Sequence, residues 1–410
     1  MRDPPAALAR IVPFGIVFCV TLGSVRAARA DSMNPNLVPL GETEAFLGNT
    51  GVGRANDSGA VYYNPSGLAE LTSGRVSVSG AVYVAIHEHY DSLLNIDNTN
   101  IPFDASNFLT IPSAYVATRS LGEWVGAFSI LVPDSLEFAD HVAINTPNTK
   151  GNLIYSIGQN EYWFGLSAAR KLGHRWSLGL SVFGIDHSQT SDVAFQEQTA
   201  TSFSANLQHE SLSVWSLSAT LGVTFIATDN LRFGARAQTA SLELTGSATT
   251  FTTAGEDLKG TSASYRMPFD FSVGTAVTPT NWLTFLADVS LQLAGSYSDV
   301  PASQLDNQVV LKVTPRLNLG VEMWPAPVVP VRLGFLYNPS ANGGDPTQQG
   351  YQRDNYYGFT AGIGLNDTHV RTCVGGFYIF SDGEYTSSTG MTAPESTRAV
   401  GAMLTTAYVF

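Results

Sequence analysis

The sequence predicts an all-β protein, a transmembrane antiparallel β-barrel of about fourteen strands with an N-terminal hatch plug. Three observations lead there. From Arg75 to Phe410 the chain divides into segments of alternating apolar and polar residues, the two-residue period of a wall with an apolar outside and a polar lumen. The connections alternate between short and long. Residues 121–123, 173–175, 228–230, 279–281, 324–330 and 366–368 are short, whereas 95–107, 139–159, 196–207, 249–261, 299–308, 339–354 and 385–396 are long. Six short and seven long links fit an even-stranded barrel with both ends on the short-turn side. Charged residues make up only 13% of the chain, against roughly 25% in ordinary soluble domains.

The elements follow in chain order. Residues 1–30 read as a signal peptide: Arg2 and Arg10, an apolar stretch over residues 11–22 broken by Pro13 and Gly15, then Ala28-Arg29-Ala30 as a small-x-small cleavage site. That stretch is too short for a membrane helix and no later run of 18 apolar residues exists, so only closed strands could span a membrane. The leader carries four arginines and one aspartate, and its removal takes the formal charge from −13 to −16. With four lysines and no basic aromatic patch, nucleic acid is not an expected partner. Cys19 lies in the leader and leaves Cys373 alone, so no intramolecular disulfide is expected.

Residues 31–73 do not alternate. They are rich in glycine, with apolar clusters at Ala45-Phe46-Leu47 and Ala60-Val61-Tyr62-Tyr63, features that suit a compact plug of short helices and tight turns. Fourteen strands enclose a bore that side chains alone do not fill, and this hatch is the expected closure. The barrel occupies residues 74–410. Its third strand, over residues 124–138, contains Pro133, which lacks a ladder donor and either favours a bulge or opening or ends the strand at the external rim. In residues 281–293, Leu283, Phe285, Ala287, Val289, Leu291 and Leu293 are expected outside, with Thr284, Asp288, Ser290 and Gln292 inside. In residues 307–323, Val309, Leu311, Val313, Leu317, Leu319, Val321 and Met323 are placed outside and Lys312, Thr314, Arg316, Asn318 and Glu322 inside, with a bulge or local opening at Pro315. The last strand sets Val400, Ala402, Leu404, Thr406, Tyr408 and Phe410 outward. A secreted β-sandwich would also alternate, but strands of twelve or more residues exceed the five or six usual in soluble sheets.

Catalytic constellations are scarce. No nucleophile elbow, phosphate loop or zinc helix occurs, and Gly362-Ile363-Gly364 does not continue as a dinucleotide fingerprint. His87 and His89 share a strand face without a clear third ligand, so no metal is expected.

The run Ala45-Phe46-Leu47-Gly48-Asn49-Thr50-Gly51-Val52-Gly53-Arg54-Ala55-Asn56-Asp57-Ser58-Gly59-Ala60-Val61-Tyr62-Tyr63-Asn64-Pro65-Ser66-Gly67-Leu68 resembles the hatch of the long-chain fatty acid transporter family, FadL and its aromatic-hydrocarbon relatives of the TodX type. Ser66 stands where that family's Asn-Pro-Ala triplet has alanine. The turn Thr228-Asp229-Asn230-Leu231-Arg232, Met267-Pro268-Phe269, Val331-Arg332-Leu333-Gly334-Phe335 and Tyr408-Val409-Phe410 extend the likeness over the mature chain.

The resemblance implies a monomeric fourteen-stranded barrel in the outer membrane of a Gram-negative bacterium. It would take up a hydrophobic small molecule, a fatty acid or an aromatic hydrocarbon, without a cofactor or catalysis. Loops would capture the ligand, with Ile101, Phe103, Phe108, Leu136 and Phe138 as candidate contacts. The hatch, with Phe46, Leu47, Gly48, Asn64, Pro65, Ser66 and Gly67, would rearrange, and the ligand would leave sideways into lipid near Pro133. The barrel-assembly machinery would read the aromatic end at Tyr408 and Phe410. Arg236, Lys312 and Arg316, on the polar face, are placed either to pair with a fatty-acid carboxylate or to pair with acids such as Asp288 and Glu322. Two readings from other classes stay open, a polar-solute porin and a lipid-hydrolysing barrel enzyme.

Overall fold

The structure, a computed structural model, describes residues 34, 38–348, 350–387 and 390–410, apart from the side chain of Phe138. The expected signal peptide and Cys19 lie outside the described residues.

Fourteen antiparallel strands close on themselves. They are β1 (Arg75–Ile96), β2 (Thr99–Leu121), β3 (Trp124–Asn145), β4 (Lys150–Leu172), β5 (Trp176–Gln198) and β6 (Phe203–Thr228). β7 comprises Leu231–Gln238 and Leu242–Thr252, β8 Glu256–Thr261 and Asp270–Thr280, β9 Leu283–Gln292 and Gly295–Ser298, and β10 Gln308–Leu311 and Thr314–Ala326. β11 (Val329–Asn338), β12 (Gln352–Asn366), β13 (Val370–Thr386) and β14 (Thr392–Val409) complete the ring, with β14 paired to β1 and β5 to β6.

The dyad period sorts side chains as a lipid-facing wall requires. On β5, Leu178, Leu180 and Val182 stand exposed on the outside, while Ser177, Ser181 and Phe183 are buried inside. Trp124, Trp176 and Trp282 project outward beside the short turns, and the Trp176 ring packs on Phe225 at 4.5 Å. Ten rungs up the β5–β6 ladder Trp215 projects outward and stacks on Phe164 at 6.1 Å. Ten residues of tilted strand rise about 25 Å, the height of the apolar band between the aromatic girdles of outer-membrane barrels.

Strands β1–β6 run for 22 to 26 residues, whereas about 9 to 11 cross a bilayer. Their upper halves therefore stand beyond the band, which corrects three of the expected long loops. Residues 95–107 form a hairpin whose turn is Asp97-Asn98, with φ of 52° and 58°, the left-handed pair that a tight two-residue turn requires. Residues 139–159 and 196–207 are likewise strand except at 146–149 and 199–202. The period persists up there but its phase inverts. Ile101, Phe103 and Ala105 turn inward to join Tyr90, Leu94, Ile144, Leu153, Ile157, Val193 and Phe195, while Pro102, Asp104 and Ser106 face out. Below, the outer face meets lipid; above, it meets water, and apolar side chains retreat to the inside.

The same inversion corrects β10. Val309 and Leu311 are buried inside with Ala341, not outside, and Lys312 is exposed rather than luminal. The phase slips at residues 312–313, where the strand is interrupted just before Pro315. Residues 281–293 and the outward set from Val400 to Phe410 stand as expected.

Candidate functional site

Residues 38–73 run inside the barrel. They form two short 3₁₀ turns, Glu44–Phe46 and Pro65–Glu70, and one helical turn, Ala60–Tyr63. The first turn packs against β11–β13 and the last against β3–β6, so the segment bridges opposite walls. Phe46, Leu47, Asn64, Pro65, Ser66 and Gly67 are buried. Gly48 has φ +65°, and a β-carbon on it would stand 2.5 Å from the Phe335 carbonyl oxygen, so only glycine fits this approach to β11.

Polar tethers surround the segment. Asp288 on β9 accepts the backbone N–H groups of Gly51, Val52 and Gly53 at 2.6, 2.8 and 3.3 Å, a cradle formed by three successive amides. Glu322 on β10 holds Arg54 at 2.7 Å and Arg332 at 2.8 Å. The Asn64 amide donates to the carbonyls of Val52 and Val223, at 2.8 and 3.2 Å. Ser66, the departure from the family triplet, uses the hydroxyl that an alanine lacks: its Oγ lies 2.7 Å from both Asn64 Oδ1 and Thr224 Oγ1. Arg75 pairs with Glu42 at 2.9 Å, and Thr405 donates to the Glu42 carbonyl at 3.0 Å. Thr224, Asp288, Glu322, Gly334 and Thr405 all lie four or five residues from the short-turn ends of their strands. The segment thus sits toward that end of the bore.

Glu44 is wholly buried in this segment, and burial together with the nearby Asp57 carboxylate pushes its carboxyl well above the usual 4.5. Docking then takes up a proton. It is most favourable below pH 4.5 and loses that contribution as pH rises through the raised value. Bilayer conductance is expected to be severalfold lower at pH 5 than at pH 8, with the slope flattened in Glu44→Gln.

Above the inner segment the wall is incomplete. β2 and β3 pair only from Leu121↔Trp124 to Ala114↔Leu131. Beyond that, the stretch from Thr99 to Pro112 pairs with β1 and Asp134–Asn145 with β4, leaving two facing edges without a ladder. Pro133 stands at this parting, beside a register shift between Leu131 and Asp134 in the β3–β4 pairing. It does not end the strand, which continues to Asn145. The Asn107 side chain reaches across to the Glu137 carbonyl. Leu131 is only the seventh residue beyond Trp124, so the lower end of the parting lies within the apolar band.

An apolar cleft of about 640 Å³, its open mouth included, adjoins the parting. Val84, Ile86 and Ile111 line one side, Phe377, Ile379 and Ala399 another, Val38 and Pro39 of the inner segment a third, and Asp134, Ser135 and Leu136 the edge of β3. Most of these residues escaped the sequence reading, which sought ligand contacts in loops. Their signal was apolar residues on inward positions of β1, β13 and β14, where a luminal wall is otherwise polar.

The other expected contacts scatter. Ile101 and Phe103 are buried in the upper cluster against which Leu136 also packs. Phe108 is 62% exposed and turns outward, its ring 5.4 Å from Tyr83, so it lines no inner site. Phe138 lies on β3, with its side chain outside the description. Arg236 and Arg316 are luminal and buried, yet both face Asp270 instead of Asp288 or Glu322, and Arg236 lies 5.3 Å over the Tyr62 ring. Asp288 and Glu322 are occupied by the inner segment, which the strand period alone could not reveal. Lys312 stands apart at the exposed break. His87 and His89 face outward, and His89 has Asp104 and Asp91 at 2.7 and 2.8 Å on its two ring nitrogens. Among the described residues no group of three or more histidine, cysteine or acidic side chains is arranged to hold a metal.

No protein-family description and no curated protein matches the chain by sequence. Solved structures do match by fold. A Pseudomonas aeruginosa FadL homologue superposes with a TM-score of 0.70 over 92% of this chain and 99% of its own, at 13% identity. The Ralstonia pickettii toluene transporter TbuX gives 0.57 over 92% and 99%, at 16% identity. The Pseudomonas putida toluene transporter TodX gives 0.61 over 91% and 99%, at 12% identity. The resemblance drawn from the hatch residues thus extends to the whole architecture.

Proposed function

We propose that this protein is a passive transporter of the outer membrane that takes up hydrophobic small molecules and releases them sideways into the bilayer. One observation carries the reading: an apolar cleft inside a wide barrel borders a wall edge where two strands do not pair. An unpaired edge at membrane depth is costly, because lipid offers its N–H and C=O groups no partner. A barrel has reason to keep one where something must pass. The fold shared with a FadL homologue and with toluene transporters supports the same reading. The tethered segment on the short-turn side serves as the hatch, residues 31–73 as one unit and 74–410 as the barrel, acting as a monomer.

The reading is non-enzymatic. His87 Nδ1 and Ser106 Oγ do lie 3.0 Å apart on the outer face of β1 and β2. Asp104, which would orient the imidazole in a triad, bonds instead to His89 at 2.7 Å and stands 3.9 Å from His87. A polar-solute porin would leave its bore open where this one is crossed from wall to wall.

The direct test is uptake of radiolabelled toluene by cells that lack their own hydrophobe transporters. Expression should raise the initial rate several-fold, and a rate equal to the empty-vector control would overturn the proposal. Assembly provides a second expectation. Phe410 donates its N–H to the Gly74 carbonyl at 3.0 Å and projects outward at the short-turn end of β14. Deleting Phe410 should reduce heat-modifiable barrel in the outer membrane several-fold. Unchanged amounts would exclude it as a signal.

A further inference from the structure

A second chamber, of about 640 Å³ with its open mouth included, meets the apolar cleft at Asp134, which lines both. One of its sides comes from the break in β8. Between Thr261 and Asp270 that strand leaves the ladder, and Tyr265, Met267 and Pro268 line the chamber together with Pro133 of β3. The Tyr265 ring stacks on His187 of β5 at 3.6 Å and meets the Tyr297 ring edge-on at 5.9 Å, while Met267 packs on the cluster that holds Trp163 and Phe183. With Trp163, the two tyrosines give the chamber three aromatic walls. Another side is the buried row Gln238, Asp270 and Gln292, neighbours across the ladders of β7, β8 and β9.

The charges around the chamber are already matched. Asp134 accepts the Gln159 amide at 2.8 Å, and Glu161 accepts the Trp163 indole N–H at 2.5 Å with His187 3.5 Å away. Asp270 holds Arg316 and Arg236, and Arg266 lies 3.8 Å from Glu243. Among the described lining residues no cation is left over for a carboxylate and no acid for an ammonium group. What remains is neutral. Gln292 is only 4% exposed, yet among the described residues nothing bonds its amide, which opens on the chamber. Gln238 accepts from Arg236 through Oε1 and keeps its own amide N–H groups uncommitted among the described residues. A hydrocarbon entering here strips these amides of water and returns no hydrogen bond, whereas a hydroxyl both donates and accepts.

Resting on the transport reading above, we infer that the chamber selects aromatic molecules carrying a neutral hydroxyl, phenols and aromatic alcohols, over plain hydrocarbons and over aromatic acids. The ring lies among Trp163, Tyr265 and Tyr297, and the hydroxyl reaches the Gln292 amide, which is the specificity-determining group. Gln238, on the other flank of Asp270, offers the same chemistry. A phenol suits the chamber because it stays neutral at pH 7, its pKa being about 10 as in tyrosine.

Calorimetric titration of the full-length protein in a non-ionic detergent at pH 7, with p-cresol, p-xylene and p-toluate, tests this. The three share a methylated ring and differ only in the group opposite the methyl. After correction for uptake by protein-free micelles, p-cresol is expected to bind at least fivefold more tightly than p-xylene and at least tenfold more tightly than p-toluate. Gln292→Met, close in volume and breaking no internal hydrogen bond, should cut the advantage of p-cresol over p-xylene at least threefold. Equal binding of p-xylene or p-toluate would overturn the inference while leaving hydrophobe transport intact, and so would an unchanged ratio in the Gln292→Met variant. Failure of p-cresol and p-xylene alike to bind would overturn the transport reading itself and the inference with it. The ligand series on the unaltered protein decides the matter even if the variant folds poorly.

Discussion

Replacing Asp288 by alanine is expected to turn a nearly closed barrel into a leaky one. The carboxylate is buried and collects three successive backbone N–H groups from residues 51–53. Hydrogen bonds to a charged acceptor contribute roughly 1.5 to 3 kcal/mol each, and a buried donor left without a partner costs a further 1 to 3 kcal/mol. Even with partial relaxation, the loss is several kcal/mol, taken directly from the segment's hold on the wall. Single-channel conductance in planar bilayers should rise at least tenfold over the unaltered protein, approaching that of a variant lacking residues 34–73. Asp288→Asn, which keeps one acceptor oxygen, should fall between. Should the deletion variant conduct strongly while Asp288→Ala conducts no more than the unaltered protein, the latch must lie at another tether, with Glu322 first in line because it binds Arg54 and Arg332 together. Equal conductance with and without the segment would show that it does not close the bore.

The barrel was legible in the sequence because its physics is local. Each strand advertises its outside through a two-residue period, and the six short turns fall where strand ends bring the chain back, so the sequence alone marks fourteen strands. The inversion of that period above the apolar band was present in the letters too, in Ile101, Phe103 and Ala105, but a reading that ties apolar to outside takes an inverted stretch for a loop. Lys312 was misplaced for a related reason. Alternation carried through a break assigns the wrong face, and nothing in residues 307–323 marks the slip except the nearby Pro315.

The site was less legible, since its members meet only through the closed ring. Asp288 is an unremarkable luminal acid in sequence, and its partners lie more than two hundred residues earlier. Gln292 becomes informative only once β7 and β8 set Gln238 and Asp270 in its row. The parting between β2 and β3 is a property of two edges at once, of which Pro133 reveals one.

Uptake should stop when that parting is stitched shut. Asn107 on β2 already touches the Glu137 backbone on β3, so cysteines at these two positions, in a Cys373→Ser background, bring thiols to opposite lips of the opening. Disulfide formation or a short bismaleimide would then hold the edges together. The lower end of the parting faces the apolar band, and the cleft meets it through Asp134, Ser135 and Leu136. A ligand leaving sideways must pass between these lips. Toluene uptake is therefore expected to fall at least tenfold on cross-linking and to return with reductant in the disulfide form, while the amount of folded barrel stays constant. Combining the cross-link with removal of residues 34–73 separates the two possible exits. A sideways exit predicts that the double variant still conducts ions through its emptied bore but releases no toluene to the bilayer. If toluene uptake in the otherwise intact, fully cross-linked protein matches that of the open form, the ligand leaves past the inner segment, and the unpaired edges have some other purpose.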